Sequence, residues 1–243
     1  MKNLLITTIG NYNLLGVWSY GKIKNFDIIT IDYTQDPTFK YPGIYKALQS
    51  LRDYDYYWMP DEDICLSTSE INKLFDIAST YHLDLFQPSV LEGPMSFPSW
   101  PMFIHQKGPE MVSTPFVEIM CPGFSRDGLL RCIDTFPKSN SGWGLDIIWA
   151  KLLGYQKMGL INSVVVKHSR KPMNGSNLYR ILQEPPSTEM YRLLKEYEVM
   201  MIPYVHKDPD PPSSMQSTIR RPIRRPNISP RELLKNTRMR RHN

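Results

Sequence analysis

The stretch Y-D-Y-Y-W-M-P-D-E-D-I, residues 54–64, is an aromatic and apolar run that ends in three acids. Tyrosine, tryptophan and methionine favour a buried strand, and Pro60 cannot donate a hydrogen bond to a neighbouring strand, so we expect the strand to end there. Asp61, Glu62 and Asp63 would then form a turn at the carboxyl end of a strand, where α/β sheets bind ligands. Two carboxylates one residue apart can share Mg²⁺ or Mn²⁺, and this cation can hold a diphosphate. An ordinary acidic turn, in which Asp63 only begins a helix, is the alternative.

Strands and helices are predicted to alternate on both sides of this stretch, which indicates an α/β domain. Apolar runs predict strands at residues 3–9, 26–33, 83–90 (stopping near Pro88), 116–125 and 159–168. Helical spacing predicts helices at residues 42–51, 126–136, 142–153 and 188–200, and a helix through Ala78 that begins with the capping box Ser67–Glu70. Residues 91–113 form a long irregular segment with the aromatic residues Phe97, Trp100 and Phe103, and such loops are usually functional or mobile.

The ends of the first two predicted strands carry residues that suit a nucleotide. Small side chains near Thr7, Thr8, Ile9 and Gly10 would let a base and ribose approach the backbone. The alternative, which these residues favour at least as much, is the end of an ordinary strand. At the end of the second strand, Asp32 can accept hydrogen bonds from a ribose or base, and Tyr33 can stack on the base.

Composition separates a near-neutral body from a basic tail. The 243-residue chain has a formal charge of +5, but residues 207–243 alone carry +7 and the rest carries −2. Proline-rich linkers begin near Pro185, so we predict a catalytic domain at residues 1–183 and a linker, helix and basic extension at residues 184–243. The tail is expected to contact acidic partners or a membrane surface. Three cysteines without a C-x-x-C pair, and no long apolar run, favour a reducing, cytoplasmic location without a transmembrane segment.

Five motifs follow one another in a meaningful order: Y-D-Y-Y-W-M-P-D-E-D-I, F-Q-P-S-V, F-V-E-I-M-C-P-G-F-S-R, S-G-W-G-L-D and V-V-V-K-H. Together they resemble a plant and microbial family of unknown function that is labelled lysine-ketoglutarate reductase trans-splicing-related. That family is similar to glycosyltransferases of the GT-A fold. The resemblance spans residues 51–172 and implies a single GT-A domain, with a mixed central sheet flanked by helices.

The resemblance also implies roles for individual residues on the donor side. Asp61 and Asp63 correspond to the acids of a D-x-D motif, and His168 falls where many GT-A enzymes have a late metal ligand. These three residues would hold Mn²⁺ or Mg²⁺, with Asp61 also near the ribose. Lys171 would contact a phosphate. Considered alone, a histidine at a strand end is more often structural.

On the acceptor side, the resemblance gives Asp146 the role of the base that deprotonates the acceptor hydroxyl. A helix dipole also favours an acid in the first turn, so a structural role is the alternative. Trp143 and Gly144 would line the sugar site, although Trp143 can equally be a core residue. Glu118 lies in an apolar segment, and a buried acid there needs a partner such as a donor-sugar hydroxyl.

The leading hypothesis is therefore a metal-dependent, inverting glycosyltransferase that moves a sugar from a UDP-sugar to a saccharide or glycoprotein acceptor. The alternatives are a Mg²⁺-dependent nucleotidyltransferase and a non-enzymatic nucleic-acid-binding protein that uses its basic tail. Neither a Walker A motif nor G-x-G-x-x-G is present, which disfavours P-loop and dinucleotide enzymes.

Overall fold

A mixed β-sheet forms the centre of the protein. The computed structural model describes residues 1–50, 53–170 and 181–199. Its strands are β1 (Asn3–Ile9), β2 (Phe26–Asp32), β3 (Tyr56–Trp58), β4 (Ile64–Cys65), β5 (Leu85–Val90), β6 (Met111–Ser113), β7 (Gly123–Ser125) and β8 (Met158–His168). Their order is β2-β1-β3-β7-β5-β8-β4, and β6 pairs with β8. The pairs β1–β2, β1–β3 and β5–β8 are parallel, whereas the pairs made by β4, β6 and β7 are antiparallel.

Helices cover both faces of the sheet, which confirms the predicted fold class. They are α1 (Leu15–Ser19), α2 (Lys40–Leu48), α3 (Thr68–Thr80), α4 (Arg126–Cys132), α5 (Leu145–Leu152) and α6 (Pro186–Glu196). Side chains alternate along β1, so that Leu4 and Ile6 enter one apolar core and Leu5 enters the other. The first core also receives residues from α2, α5 and α6, and the second receives residues from α1 and α3. The predicted capping box at the start of α3 is present between Ser67 and Glu70.

Three predicted elements differ from the structure. The strand predicted to end at Pro60 is only the three-residue β3, and Ile64, after the acidic turn, begins β4 and pairs with His168. Strand β5 does not stop near Pro88, because a register shift between Pro88 and Ser89 lets its pairing with β8 continue to Val90. Of the predicted strand at residues 116–125, only β7 forms.

The helices also have different bounds from those predicted. Helix α4 ends at Cys132, and a 3-10 helix that contains Pro137 continues to Lys138. Helix α6 begins at Pro186, ends at Glu196 and buries Leu193 and Leu194 in the first core. The basic tail lies outside the described residues. Among the residues that are described, no helix has both the length and the apolar character needed to cross a membrane.

Candidate active site

The acidic turn at residues 61–63 follows β3 and is held by backbone contacts on both sides. The Met59 N–H donates to the Pro122 carbonyl at 2.8 Å, and the Asp61 N–H donates to the Met120 carbonyl at 2.7 Å. From β1, the buried Thr7 hydroxyl donates to the Pro60 carbonyl. Because β1 and β3 are parallel, the predicted nucleotide residues at the end of β1 and the acids therefore lie at the same edge of the sheet.

Glu62 is the central acid of this turn, although the D-x-D interpretation gave it no role. The residue is buried, and its carboxylate accepts hydrogen bonds from the Gly10 N–H, the Tyr33 hydroxyl (2.8 Å) and Arg170 Nη2 (2.6 Å). Burial and the Glu62 carboxylate raise the pKa of Tyr33. A Cβ at Gly10 would lie 2.2 Å from the Tyr33 hydroxyl, so the tyrosine ring occupies the space beside this glycine.

Asp63 and His168 meet at the end of β8. His168 Nε2 lies 3.4 Å from Asp63 Oδ2, and Arg170 Nε lies 3.1 Å from the same oxygen. His168 Nδ1 is 2.9 Å from the Phe97 carbonyl, which can only accept, so Nδ1 carries the proton and Nε2 faces the acid. Burial disfavours the charged imidazole, but the hydrogen bond and charge of Asp63 outweigh it and raise the pKa of His168.

Asp61 is paired differently from Asp63. Its carboxylate accepts a hydrogen bond from Lys40 Nζ at 2.7 Å, and 40% of its side chain is exposed. Lys40 also donates to the carbonyls of Ile119 and Met120, which fixes the ammonium group beside the acidic turn. The negative charge of the three acids is thus partly balanced by two cationic side chains, Lys40 of α2 and Arg170, which follows β8.

Asp63 and His168 are the two described residues that could hold a divalent cation. The described residues contain no group of three or more histidines, cysteines or acids arranged to hold a metal. Asp63 and His168 do converge, and the Phe97 carbonyl orients the imidazole as a metal-binding histidine requires. Mg²⁺ often takes only one or two carboxylates from the protein and completes its shell with water and substrate phosphates.

Glu118 and Asp146 are two further buried acids that were predicted to belong to the site. The Glu118 N–H donates to Gln87 Oε1 at 2.6 Å, and Ser99 hydrogen-bonds the Glu118 carboxyl, but Oε2 has no hydrogen-bond partner within the described ranges. Burial, together with a smaller contribution from the charge of Asp146, raises the pKa of Glu118 to about 7. Burial also raises the pKa of Asp146 to about 6. Both acids can therefore exchange a proton near neutral pH.

The turn that precedes Asp146 contains two glycines with positive φ angles. Gly142 and Gly144 have φ angles of 83° and 88°, in the left-handed region that glycine adopts without strain. Helix α5 begins directly afterwards, and the Asp146 carboxylate accepts the Ile147 N–H at 3.0 Å in its first turn. Trp143 is half-buried, and its N–H donates to Ser141 Oγ.

The remaining residues predicted to bind the nucleotide make no hydrogen bond to the acidic turn within the described ranges, or lie outside those ranges. Asp32 is exposed and accepts hydrogen bonds from the Thr34 N–H and hydroxyl, which lower its pKa. Thr8 is buried at the end of β1, and Ile9 is half-buried beside it. Lys171 lies outside the described residues. The structure therefore brings together Asp61, Asp63 and His168 but does not test the role of any of them.

Sequence reasoning missed Glu62, Lys40 and Arg170. A signal was present for Glu62, which stands between the two predicted ligands, and for Arg170, which follows His168 by two residues. Lys40 gave no signal, because it begins α2 and reaches the turn only through the fold.

Comparison with known proteins supports the fold. No protein-family model and no curated protein matches the chain, so the resemblance to the trans-splicing-related family stays a prediction. The structure is similar to that of S. aureus TarS 1–349 in complex with UDP-GlcNAc, with a TM-score of 0.56 and 12% identity over 82% of this chain and 66% of that one. The matched region is thus slightly less than two thirds of that structure.

A second similar structure is the complex of TarS 1–349 with UDP. It gives a TM-score of 0.50 and 11% identity over 83% of this chain and 73% of that one. The chain has the mixed α/β architecture of the GT-A type.

Proposed function

We propose that this protein is a glycosyltransferase that uses a nucleotide-sugar donor, with a UDP-sugar as the donor class. The observation that carries the proposal is the convergence of Asp63, His168 and Arg170 at the carboxyl edge of a GT-A-type sheet. The similar TarS structure contains UDP-GlcNAc, which is a donor of this class. A divalent cation held by the acids, together with Lys40 and Arg170, would suit a diphosphate, whose negative charge increases when the bond to the sugar breaks.

We propose that Asp63 and His168 hold Mn²⁺ or Mg²⁺, with Asp61 nearby. The bound cation would act as a Lewis acid that stabilises the charge of the leaving diphosphate. His168 would offer Nε2 because its Nδ1 proton is engaged by the Phe97 carbonyl. Arg170 and Lys40 limit the negative charge of the acidic turn, so that a diphosphate can approach it. Lys171 is proposed to contact a phosphate.

At the anomeric carbon, we propose displacement with inversion. Asp146 would take the proton of the acceptor hydroxyl as the acceptor oxygen bonds to the anomeric carbon and the bond to the diphosphate oxygen breaks. Its pKa of about 6 leaves it ionised at neutral pH and able to accept a proton. Glu118 has a buried oxygen without a hydrogen-bond partner among the described residues, which suits a hydroxyl of the donor sugar. Trp143 and Gly144 would line the same sugar site.

The acceptor class is proposed to be a saccharide, free or attached to a protein. The segment between β5 and β6 contacts His168 through Ser96 and Phe97, and it contacts Glu118 through Ser99. Trp100 follows directly, is 44% exposed and packs edge-on against Phe116 with ring centroids 5.4 Å apart. An exposed indole next to a residue that contacts a buried acid suits the apolar face and the hydroxyl edge of a sugar ring.

UDP binding tests the donor side of this proposal. Calorimetric titration of the wild type should give at least about tenfold tighter UDP binding with Mn²⁺ than with EDTA. Asp63→Ala should lose this difference. Asp127→Ala provides the matched control, since Asp127 is an exposed acid in the first turn of α4, and it should bind like the wild type. Equal wild-type affinity with and without metal would contradict the proposed metal dependence.

A further inference from the structure

Glu189 of α6 is a buried acid that the proposed mechanism does not use. Its carboxylate accepts hydrogen bonds from Ser139 Oγ and Ser141 Oγ, both at 2.6 Å, and from the N–H groups of Asn140 (3.0 Å) and Ser141 (2.9 Å). Burial opposes ionisation, but these four hydrogen bonds outweigh it and lower the pKa of Glu189. The carboxylate is therefore charged at neutral pH, and its bonds to the turn are charge-assisted.

The two serines extend this contact along the turn. Ser139 Oγ accepts the Gly142 N–H at 2.9 Å, and Ser141 Oγ accepts the Trp143 N–H at 3.1 Å. Each serine hydroxyl thus donates to Glu189 and accepts from the next part of the backbone. Because the two glycines of the turn allow many conformations, its backbone needs such contacts to keep one of them.

Helix α6 also packs against the end of the same turn. A Cβ at Gly144 would lie 3.0 Å from Met190 Cγ, so the residue after Glu189 contacts the last glycine before α5. Asp146 follows two residues later, in the first turn of α5. The backbone that leads into Asp146 is therefore held by a helix more than forty residues further along the chain.

We propose that Glu189 is a positioning residue, which fixes the turn at residues 139–144 and through it the placement of Trp143 and Asp146. This inference rests on the proposed function. Glu189 contacts neither the donor-side acids nor the reacting atoms in this scheme, so its loss affects turnover and not nucleotide affinity. A misplacement of about 1 Å in a reacting group can lower the rate about 100-fold.

Glu189→Gln tests the role, because it keeps the side-chain volume and removes the charge. We expect kcat to fall roughly 10- to 100-fold at unchanged Mn²⁺-dependent UDP affinity. Amide exchange at Gly142 and Trp143 should become at least about tenfold faster. Leu194→Ala is the matched control, since it removes a buried side chain of the same helix without touching the serines. The two variants are compared at temperatures equally far below their own Tm. Under that condition, Leu194→Ala should change neither kcat nor the exchange rate of the turn.

Identical kcat and exchange in the two variants would overturn the proposal, because the role of Glu189 would then be stability alone. If Glu189→Gln does not fold, Ser141→Ala removes the hydroxyl shared by Glu189 and Trp143 and is judged by the same readouts. If the wild type transfers no sugar, the proposed glycosyltransferase function fails separately. Amide exchange, measured without substrate, then still decides whether Glu189 holds the turn.

Discussion

Asp146→Asn isolates the proposed base, because asparagine keeps the side-chain shape and an oxygen that can accept the Ile147 N–H. With a pKa of about 6, Asp146 is about 90% ionised at pH 7 and about 10% ionised at pH 5. A base acts only when deprotonated, so wild-type kcat should fall about tenfold from pH 7 to pH 5. The variant should lose roughly 10²- to 10⁴-fold in kcat at pH 7 and keep its UDP affinity.

The same substitution should stabilise the folded protein at neutral pH. Burial raises the pKa of Asp146 from the ordinary 3.8 to about 6, so the folded state holds this proton more tightly than the unfolded state. The cost of ionising it in the fold therefore develops between about pH 4 and pH 6 and is complete above that range. A pKa difference of about two units between the folded and unfolded states corresponds to about 3 kcal/mol of lost stability. Asp146→Asn removes this cost, so Tm should rise at pH 7 and change much less at pH 4.

The assay measures sugar transfer through the UDP that it releases, across the pH range. UDP binding and thermal unfolding are measured in parallel. Asp127→Asn serves as the control, because this acid has the same place in the first turn of α4 but is exposed. It should change neither rate nor Tm appreciably. Near-normal turnover in Asp146→Asn would refute the assignment of the base. Such a result would favour Glu118 or a retaining mechanism.

Three further outcomes are expected. Glu118→Gln should raise the KM for the donor sugar roughly tenfold without changing the affinity for UDP, and equal effects on both ligands would exclude a contact to the sugar. Trp100→Ala should raise the acceptor KM roughly tenfold at unchanged donor hydrolysis, whereas Trp100→Phe should recover much of the loss. An unchanged acceptor KM in Trp100→Ala would remove this side chain from the acceptor site. Deletion of residues 215–243 should leave transfer nearly intact, so a large loss of nucleotide binding would assign the tail to the site.

Much of the fold could be predicted because its strands and helices follow local patterns. Apolar runs predict the strands β1, β2 and β8, and a capping box predicts the start of α3. Residues 116–122 misled the same reasoning, since they are apolar but do not form a regular strand. Their carbonyls instead accept hydrogen bonds from Lys40, Met59 and Asp61, and Pro122 cannot donate to a neighbouring strand.

From the residues alone, the candidate site could be predicted only in the acidic turn, and only the family resemblance placed His168 beside it. The acids of the turn could be selected because a strand ends just before them. The contact between Glu62 and Arg170 joins residues 108 positions apart, and the one between Lys40 and Asp61 joins different elements. A single sequence does not indicate such pairs, because they depend on strand order. The choice of Asp63 over Glu62 as the principal acid likewise came from motif spacing and not from burial.

The most direct test is a titration of the wild-type protein with a panel of nucleotide sugars, with Mn²⁺ and with EDTA. We predict that at least one UDP-sugar binds, that Mn²⁺ tightens this binding by about tenfold or more, and that Asp63→Ala abolishes the difference. The absence of binding to every nucleotide sugar, with or without Mn²⁺, would contradict the assignment as a glycosyltransferase.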